Sequence, residues 1–250
     1  RKYSQLGLCI VKGYYNNKYD YENNEWMKYC RGAVIDIKEN KVVCVPPQKS
    51  MKNELITNHG VQKVIDNYDE SENIYQPLID GTMINMFYHN NEWMISTRSN
   101  IGAKNKWDGK TSFLKMFLDV NGDEWFNELN KNYCYSFILH HKNNRNISPI
   151  ENNFIFLVEN YEIIDREIKM KQLDNISNIE NIVDLSKEML CGYQTETFFS
   201  IKGFTIKNSN RRLNWINPNF EYVKQLKMNH NDKFLNYISL RQKRLLKEYL

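Results

Sequence analysis

The sequence predicts an α+β fold, because its strand-like and helical segments are segregated along the chain. Short segments rich in β-branched and aromatic residues dominate the first half of the 250 residues, and helical patterns dominate the end. This arrangement is typical of α+β proteins, whereas a doubly wound parallel sheet requires strands and helices that alternate. No internal repeat and no linker rich in Pro or Gly divides the chain, so we expect one domain with an appended helical segment.

The predicted strands comprise an initial strand and three pairs. Turn-forming residues separate the members of the first two pairs, at Asn40-Lys41 and at His89-Asn90-Asn91. Apolar and polar residues alternate on both sides of the second turn, which predicts a hairpin. The expected strands are 8–11, 32–37 with 42–45, 83–88 with 92–97, and 133–140 with 154–164.

Helical periodicity indicates four helices in the body of the chain, at 61–68, 111–120, 123–130 and 179–190. The C-terminal segment interleaves apolar and basic residues, namely Phe234, Leu235, Ile238, Arg241, Lys243, Arg244, Leu245, Leu246 and Lys247. This pattern predicts one or two amphipathic helices whose basic face contacts RNA, a partner protein or only water. We therefore expect a domain at 1–228 and a basic helical extension at 229–250.

Composition limits the classes of function. The net charge of +4 is compatible with a phosphate-binding groove, but it lacks the strong basicity of an obligate nucleic-acid binder. The five cysteines form no CxxC pair and have no histidine at metal-ligand spacing, so we expect no metal site and an intracellular, cytosol-like reducing compartment. No apolar run reaches the length of a membrane span, so we expect no membrane association.

The most informative segment begins at Asp80-Gly81 and leads through the predicted hairpin to Thr97-Arg98-Ser99. An Asp-Gly pair by itself is usually a turn, and Arg98 by itself is as often a solvated cation as a phosphate contact. In this order, however, the segment resembles the KxDG element of ATP-dependent ligases and capping enzymes, which a hairpin and a short basic element follow. In those enzymes the lysine attacks the α-phosphate of the nucleotide and forms a covalent lysyl intermediate.

Further segments follow in the order found in phage-type RNA ligases. Arg31-Gly32 and Lys49 resemble the segment upstream of the nucleophile, and Phe137 with Asn144-Arg145 resembles the motif whose aromatic ring lies near the purine. Lys202-Gly203-Phe204 and the segment 212–218 resemble the last two motifs. The resemblance covers residues 5–228. It implies an RNA ligase-like nucleotidyltransferase fold, an ATP-grasp-like adenylation domain with antiparallel sheets around a groove.

The departures from these motifs affect the groups that carry the chemistry. Leu78 stands at the position of the nucleophilic lysine, and Lys202 replaces the glutamate that helps to hold the metal. Ile138 replaces a glutamate that would contact the ribose, and Asn214 and Ile216 replace two basic residues that would bind the triphosphate. Leucine has no nucleophilic atom, so we expect no catalytic residue and a degenerate member of the superfamily, a pseudoenzyme.

A shift of the alignment does not restore the nucleophile, since no lysine lies between Lys63 and Lys104. We therefore expect an RNA- or nucleotide-binding module without adenylyl transfer and without a metal, for which the sequence establishes no certain cofactor. Exchange of a glutamate for Lys202 makes the groove more positive, which disfavours a metal ion and favours a phosphate backbone. The expected binding residues are Arg31, Lys49, Asp80, Gly81, Arg98, Phe137, Lys202, Arg212 and Lys224.

Other interpretations stay open. Phe137 is compatible with a place in the hydrophobic core as well as with contact to a base. An active ATP-dependent RNA ligase would need ATP, Mg²⁺ and a relocated nucleophile, for which Lys202 and Lys49 are the candidates. A structural or scaffolding subunit of a larger complex would instead need a protein partner. Abundant Asn, Lys, Ile and Tyr, together with the implied fold, resemble proteins of large DNA viruses, so a viral protein in host cytoplasm is one hypothesis.

Overall fold

The structure, a computed structural model, describes residues 1–13, 25–50, 72–107, 109–144, 146–195, 198–209, 211–227 and 232–249. Its strands are β1 (Lys2–Tyr3), β2 (Leu8–Ile10), β3 (Val34–Asp36), β4 (Lys41–Cys44), β5 (Ile74–Pro77), β6 (Thr82–His89), β7 (Glu92–Thr97), β8 (Tyr133–His140), β9 (Phe154–Ile164), β10 (Glu167–Lys171), β11 (Glu180–Asn181), β12 (Gly203–Lys207) and β13 (Arg212–Ile216). Its α-helices are α1 (Phe113–Asn121), α2 (Lys187–Thr195), α3 (Pro218–Lys227), α4 (Lys233–Gln242) and α5 (Leu246–Tyr249). None of these helices is long and apolar enough to cross a membrane.

The strands form three sheets in which almost every pair is antiparallel. The first sheet has the order β1-β2-β3-β4, the second β10-β9-β8-β6-β7, and the third β13-β12-β5. The short strand β11 adds to β9 in parallel. Every predicted strand is present, so the α+β class with antiparallel sheets is confirmed. Strands β12 and β13 also occur late in the chain, so strands and helices are less strictly segregated than the sequence indicated.

The second sheet is central because each of its faces covers a different core. Side chains alternate along β6 and β8, so that Ile84, Met86 and Phe137 point to one face, where they pack with α1 and bury Phe117. The opposite face carries Phe87 and packs against the first sheet. One face of the third sheet is covered by α2. These alternating faces determine which residues reach the space between the second and third sheets.

Two helical predictions were wrong. Residues 179–190 do not form one helix, because β11 occupies 180–181 and α2 begins only at Lys187. The spacing of Ile176, Ile179 and Ile182 imitates helical periodicity, but all three side chains are buried and the Ile182 N–H donates to the Leu157 carbonyl at 2.9 Å. Residues 123–130 contain a 3-10 helix in place of an α-helix. The predicted helix at 61–68 and Arg145 lie outside the described residues.

Candidate functional site

A cavity of about 200 Å³ lies between the second and third sheets. Strands of the second sheet contribute apolar side chains to it, and strands of the third sheet contribute mainly polar ones. Segments before β3, after β4, between β5 and β6, and after β7 complete the wall. The residues that define it include Arg31, Gln48, Lys49, Leu78, Ile79, Met83, Arg98, Ile138, Val158, Lys202, Thr205, Arg212, Asn214 and Ile216.

The segment from Leu78 to Gly81 joins the third sheet to the second. The Leu78 N–H donates to the Gly203 carbonyl at 2.8 Å, and the Leu78 side chain forms part of the cavity wall. Gly81 passes so close to β8 that a Cβ atom would lie 2.5 Å from the Leu139 carbonyl oxygen. The segment is therefore held on both sides, and it presents leucine to the cavity.

Lys202 reaches this segment from the opposite strand. Phe204 pairs with Pro77 in the antiparallel register, so Lys202 lies across from Ile79. Its Nζ donates to the Ile79 carbonyl oxygen at 3.1 Å. Burial lowers the pKa of this ammonium; the Asp80 carboxylate opposes the shift, and the cations around the cavity, first among them Arg98, reinforce it. Lys202 thus places a desolvated positive charge beside the segment that carries Leu78.

Asp80 itself turns away from the cavity. Its Oδ2 accepts the backbone N–H groups of Ile147 and Ser148, at 2.5 and 3.1 Å, and its backbone carbonyl lies 2.7 Å from Nδ1 of His140. Because both amides donate to the same carboxylate oxygen, Asp80 organises the loop after β8. It does not form part of the cavity wall.

Four other predicted cations surround the cavity with Lys202. Arg31 and Arg98 are brought together by Gly32, whose φ is 112° and whose missing Cβ would lie 3.0 Å from the Arg98 Cα. Lys49 follows β4, and Arg212 begins β13. Five cations thus line one cavity, and no aspartate or glutamate is among the described residues that line it.

Phe137 and Lys224, like Asp80 and Gly81, were predicted binding residues but do not line the cavity. Phe137 is fully buried on the core face of β8, where its ring packs edge-on against Phe117 and Trp125. Strand alternation is the reason: Ile138, the next residue, takes the cavity face. The Phe137 ring is therefore not accessible to a purine, and Phe137 belongs to the hydrophobic core. Lys224 is an exposed residue of α3 that forms an ion pair with Glu221 at 2.7 Å. Its charge lowers the pKa of Lys202, but Lys224 itself does not line the cavity.

Beneath the cavity lies a buried ionic cluster that the sequence analysis missed. The Glu159 carboxylate accepts from Lys207 Nζ at 2.9 Å, and also from the Arg212 guanidinium and the Tyr161 hydroxyl. Burial alone would raise the pKa of Glu159, but the Arg212 and Lys207 charges outweigh it and hold the pKa at about 2. A glutamate that directly follows the apolar run 154–158 within a predicted strand is a signal for such a cluster, since a buried charge needs a partner. The strand pattern does not identify the partner.

Gln48 and Asn214 are two of the uncharged polar residues in the cavity wall. Gln48 donates from Nε2 to the Tyr29 hydroxyl at 2.9 Å and to the Ser209 carbonyl at 2.7 Å, which fixes the segment that carries Lys49. Asn214 has a buried Oδ1 for which the described residues provide no hydrogen-bond donor. The cavity therefore combines positive charge with one acceptor that lacks a partner within the described part of the chain.

The donor set does not fit the divalent metal that the family resemblance implies. Mg²⁺ and Mn²⁺ bind carboxylate, carbonyl and water oxygens. Where the motif that the sequence resembles has a carboxylate, the cavity has the Lys202 ammonium. Among the described residues, Asp80 and Glu159 lie near the cavity, and both carboxylates already accept from protein donors. In the part of the chain that the structure describes, no group of three or more His, Cys, Asp or Glu side chains could hold a metal ion.

The fold has counterparts among solved structures of ligases. A protein of Aquifex aeolicus described as an ATP-dependent DNA ligase aligns with a TM-score of 0.50 and 12% sequence identity, over 98% of this chain and 73% of that chain. A mutant RNA ligase of Naegleria gruberi aligns with a TM-score of 0.47 and 12% identity, over 71% of this chain and 57% of that chain. The RNA ligase of the same organism with pyrophosphate aligns with a TM-score of 0.45 and 9% identity, over 76% of this chain and 66% of that chain.

The architecture is thus the nucleotidyltransferase fold of nucleic-acid ligases. At 12% identity the likeness concerns the fold alone, and the chain spans little more than half the length of the first of those RNA ligase chains. The sequence itself matches no family model and no curated protein.

Proposed function

We propose that the protein binds the phosphate groups of RNA or of a nucleotide in this cavity and does not transfer an adenylyl group. The observation that carries the proposal is the cavity wall, in which five cations and no described acidic side chain surround Leu78. Lysine and arginine side chains that neutralise phosphates supply most of the affinity of non-specific nucleic-acid binding. Leucine cannot form the covalent nucleotide intermediate, because its side chain has no lone pair.

The proposal includes the degeneracy of the site. Leu78 stands at the position of the nucleophile, and Lys202, which stands at the position of a metal-binding carboxylate, donates to the carbonyl of the next residue, Ile79. Ile138, Asn214 and Ile216, which also depart from the motifs of phage-type RNA ligases, line the same cavity. Because all five residues that differ from the ligase motifs surround the same cavity, they support a site that has lost its catalytic groups together and has kept a binding surface.

Salt-dependent binding tests this function. We expect a fluorescein-labelled single-stranded RNA to bind at low ionic strength, with a logarithmic association constant that falls linearly as the logarithm of the salt concentration rises. Lys202→Glu should weaken binding by roughly tenfold or more and reduce the salt slope by about 1. The matched control is Lys169→Glu, since Lys169 is an exposed cation on β10, outside the cavity.

Circular dichroism of each variant separates a binding defect from a folding defect. The proposal is wrong if the wild-type chain shows no salt-dependent binding of RNA or nucleotide, or if Lys202→Glu and Lys169→Glu have equal effects. A chain that binds neither ligand but purifies in a stoichiometric protein complex would support the scaffolding alternative.

One observation favours a second function, in which Lys202 is a relocated nucleophile. Its Nζ lies beside the signature segment, and burial lowers its pKa, which favours the reactive neutral amine. In this reaction Nζ would form a bond to the α-phosphorus of ATP, the bond to the bridging oxygen would break, pyrophosphate would leave, and the amine proton would pass to solvent.

Transfer of a radioactive label decides between the two functions. The protein is incubated with α-³²P-labelled ATP and Mg²⁺ or Mn²⁺ and separated on a denaturing gel. We expect no labelled band. A labelled band that disappears in Lys202→Arg would establish the second function and overturn the first.

A further inference from the structure

We propose that the cavity binds a nucleoside phosphate without a divalent cation, and that the Lys202 ammonium occupies the role of the metal. This inference rests on the proposed function and names the ligand and its ionic form. It follows from three observations: the described carboxylates near the cavity already have donors, Lys202 brings its ammonium into the cavity, and the Asn214 amide oxygen has no donor among the described residues.

Among the described residues, the carboxylates of Asp80 and Glu159 near the cavity are already engaged. Asp80 accepts two backbone N–H groups through one oxygen and faces the loop after β8. Glu159 accepts from Lys207, Arg212 and Tyr161 below the cavity floor. A divalent cation would have to displace one of these donors and would also enter a space lined by five positive side chains. Both effects oppose a metal ion, and neither opposes a bare phosphate.

Lys202 supplies the charge that a metal would bring. An ammonium group has three N–H donors, and among the described residues one of them is used, on the Ile79 carbonyl. The remaining donors, in a desolvated position, are suited to charge-assisted bonds with a phosphate. Arg98 and Arg212 line the same cavity and lower the pKa of Lys202 by their charge. A bound dianion would offset that repulsion.

Asn214 indicates what else the ligand carries. Its buried Oδ1 is an acceptor without a donor among the described residues, and Asn214 lines the cavity that Lys202 enters. A buried acceptor that stays unpaired is costly, so a ligand that donates from a hydroxyl or an amino group would stabilise the complex. Inorganic phosphate and pyrophosphate can donate only through a P–OH group, and the five cations of the cavity favour the ionised form that has lost this proton. A nucleoside phosphate has ribose hydroxyls or a base amino group as well, whether it is a free nucleotide or part of RNA.

The test compares binding with and without the metal. Calorimetry measures ATP, AMP, pyrophosphate and a short RNA against the wild-type chain, in EDTA and in MgCl₂ at matched ionic strength. We expect ATP to bind at least as tightly in EDTA as in Mg²⁺, because Mg²⁺ removes the negative charge that the cavity recognises. The RNA arm shows whether the same phosphate chemistry extends to a polynucleotide.

Two substitutions at Lys202 distinguish the effect of reversing its charge from the effect of removing its contact with the phosphate. Lys202→Glu should weaken binding of ATP in EDTA by roughly tenfold to a hundredfold, the loss typical of one charge-assisted hydrogen bond, and Mg²⁺ should restore part of it. Lys202→Gln should show the loss without the restoration. Lys169→Glu is the control for net charge. Asn214→Ala should weaken ATP and AMP by about fivefold while leaving pyrophosphate unchanged.

The outcomes are distinguishable. Binding of ATP or RNA that requires Mg²⁺ would overturn this inference and leave the proposed function intact. Absence of binding in both buffers would overturn the proposed function itself. Equal affinities for pyrophosphate and ATP, with no effect of Asn214→Ala, would overturn the assignment of a nucleoside as part of the ligand.

Discussion

Gly203 sits where β12 meets both β13 and the signature segment, and no other residue type fits there. Its φ is 138°, and a Cβ atom would lie 2.0 Å from the Trp215 carbonyl oxygen, which belongs to a paired strand and cannot move aside. We expect Gly203→Ala to lower the free energy of unfolding by about 3 kcal/mol or more, through steric overlap and backbone strain. Urea denaturation measures it.

Gly192 provides the control for this prediction. It lies within α2, where no described atom outside the backbone of the helix lies within 4 Å of an added Cβ. Gly192→Ala should raise the free energy of unfolding by about 0.5–1 kcal/mol, the difference in helix propensity. Equal effects of the two substitutions would contradict the close approach of β12 to β13.

Glu159 gives stability a dependence on pH with a definite sign. Its pKa is about 2 in the folded chain, below the ordinary value of 4.5, so the folded state binds a proton less readily than the unfolded state. The resulting stabilisation, of the order of 3 kcal/mol, is present in full above the ordinary value and is lost as the pH falls towards the folded pKa. Denaturation with urea between neutral and strongly acidic pH measures this loss.

Glu159→Gln should remove that part of the pH dependence and destabilise the chain at neutral pH. Two buried cations, Lys207 and Arg212, would lose their counter-ion, which typically costs about 3–5 kcal/mol. Glu167→Gln is the control, since Glu167 forms only an exposed pair with Lys169. If Glu159→Gln retains the wild-type pH profile, the acid sensitivity originates elsewhere.

At the scale of single residues, the sequence was a better guide to which cations lie near the cavity than to which face of a strand a side chain takes. Arg31, Lys49, Arg98 and Arg212 lie around the cavity as expected, because motif order places them at strand ends that converge. Phe137 could not be placed in this way. Whether it faces a core or a groove depends on the register of β8, and a shift of one residue reverses the face.

Helix α1 shows how a local contact supports an element of the core. Ser112 caps it: its Oγ accepts the Lys115 N–H at 3.2 Å. The helix buries Phe113, Met116 and Phe117 against the second sheet. We expect Ser112→Ala to lower the global free energy of unfolding by about 1 kcal/mol, because the helix cannot unfold without exposing this core. Thermal denaturation measures it.

Helix α4 has an equivalent cap and a different role. Asp232 accepts the Phe234 N–H at 2.8 Å, but the described side chains of this helix are largely exposed and only Leu240 is buried. Asp232→Ala should therefore speed amide hydrogen exchange in α4 and leave the global unfolding transition almost unchanged. A global loss equal to that of Ser112→Ala would show that α4 unfolds together with the core.

At the scale of elements, pairs of strands that follow each other in the chain were predictable, whereas the pairing of β11 with β9 was not. The β6–β7 hairpin follows from alternation around a turn whose Asn90 and Asn91 both take positive φ, which asparagine tolerates. The segment that forms β11 was predicted to be helical, because the partner that fixes it, β9, lies more than twenty residues away and leaves no mark in the local spacing.

For the whole molecule, we propose that residues 1–228 fold as a unit and that 229–250 form a peripheral extension. Leu240 is the one buried side chain described in α4, and α5 has none. Deletion of 229–250 should cost about 1.5–3 kcal/mol, the burial of one leucine, and preserve a cooperative unfolding transition. A truncated chain with the circular dichroism spectrum of an unfolded protein would refute the boundary.

The contact between Lys202 and the Ile79 carbonyl has a consequence for reversibility. Leu78→Lys alone would place a second ammonium in a confined space that already holds one, and like charges at such distances repel strongly outside bulk water. Lys202→Glu alone would remove a charge that the proposed phosphate binding uses, without supplying a nucleophile. Under the proposed function neither single substitution is favourable, so we expect the two positions to be epistatic, with Lys202 itself opposing a lysine at position 78.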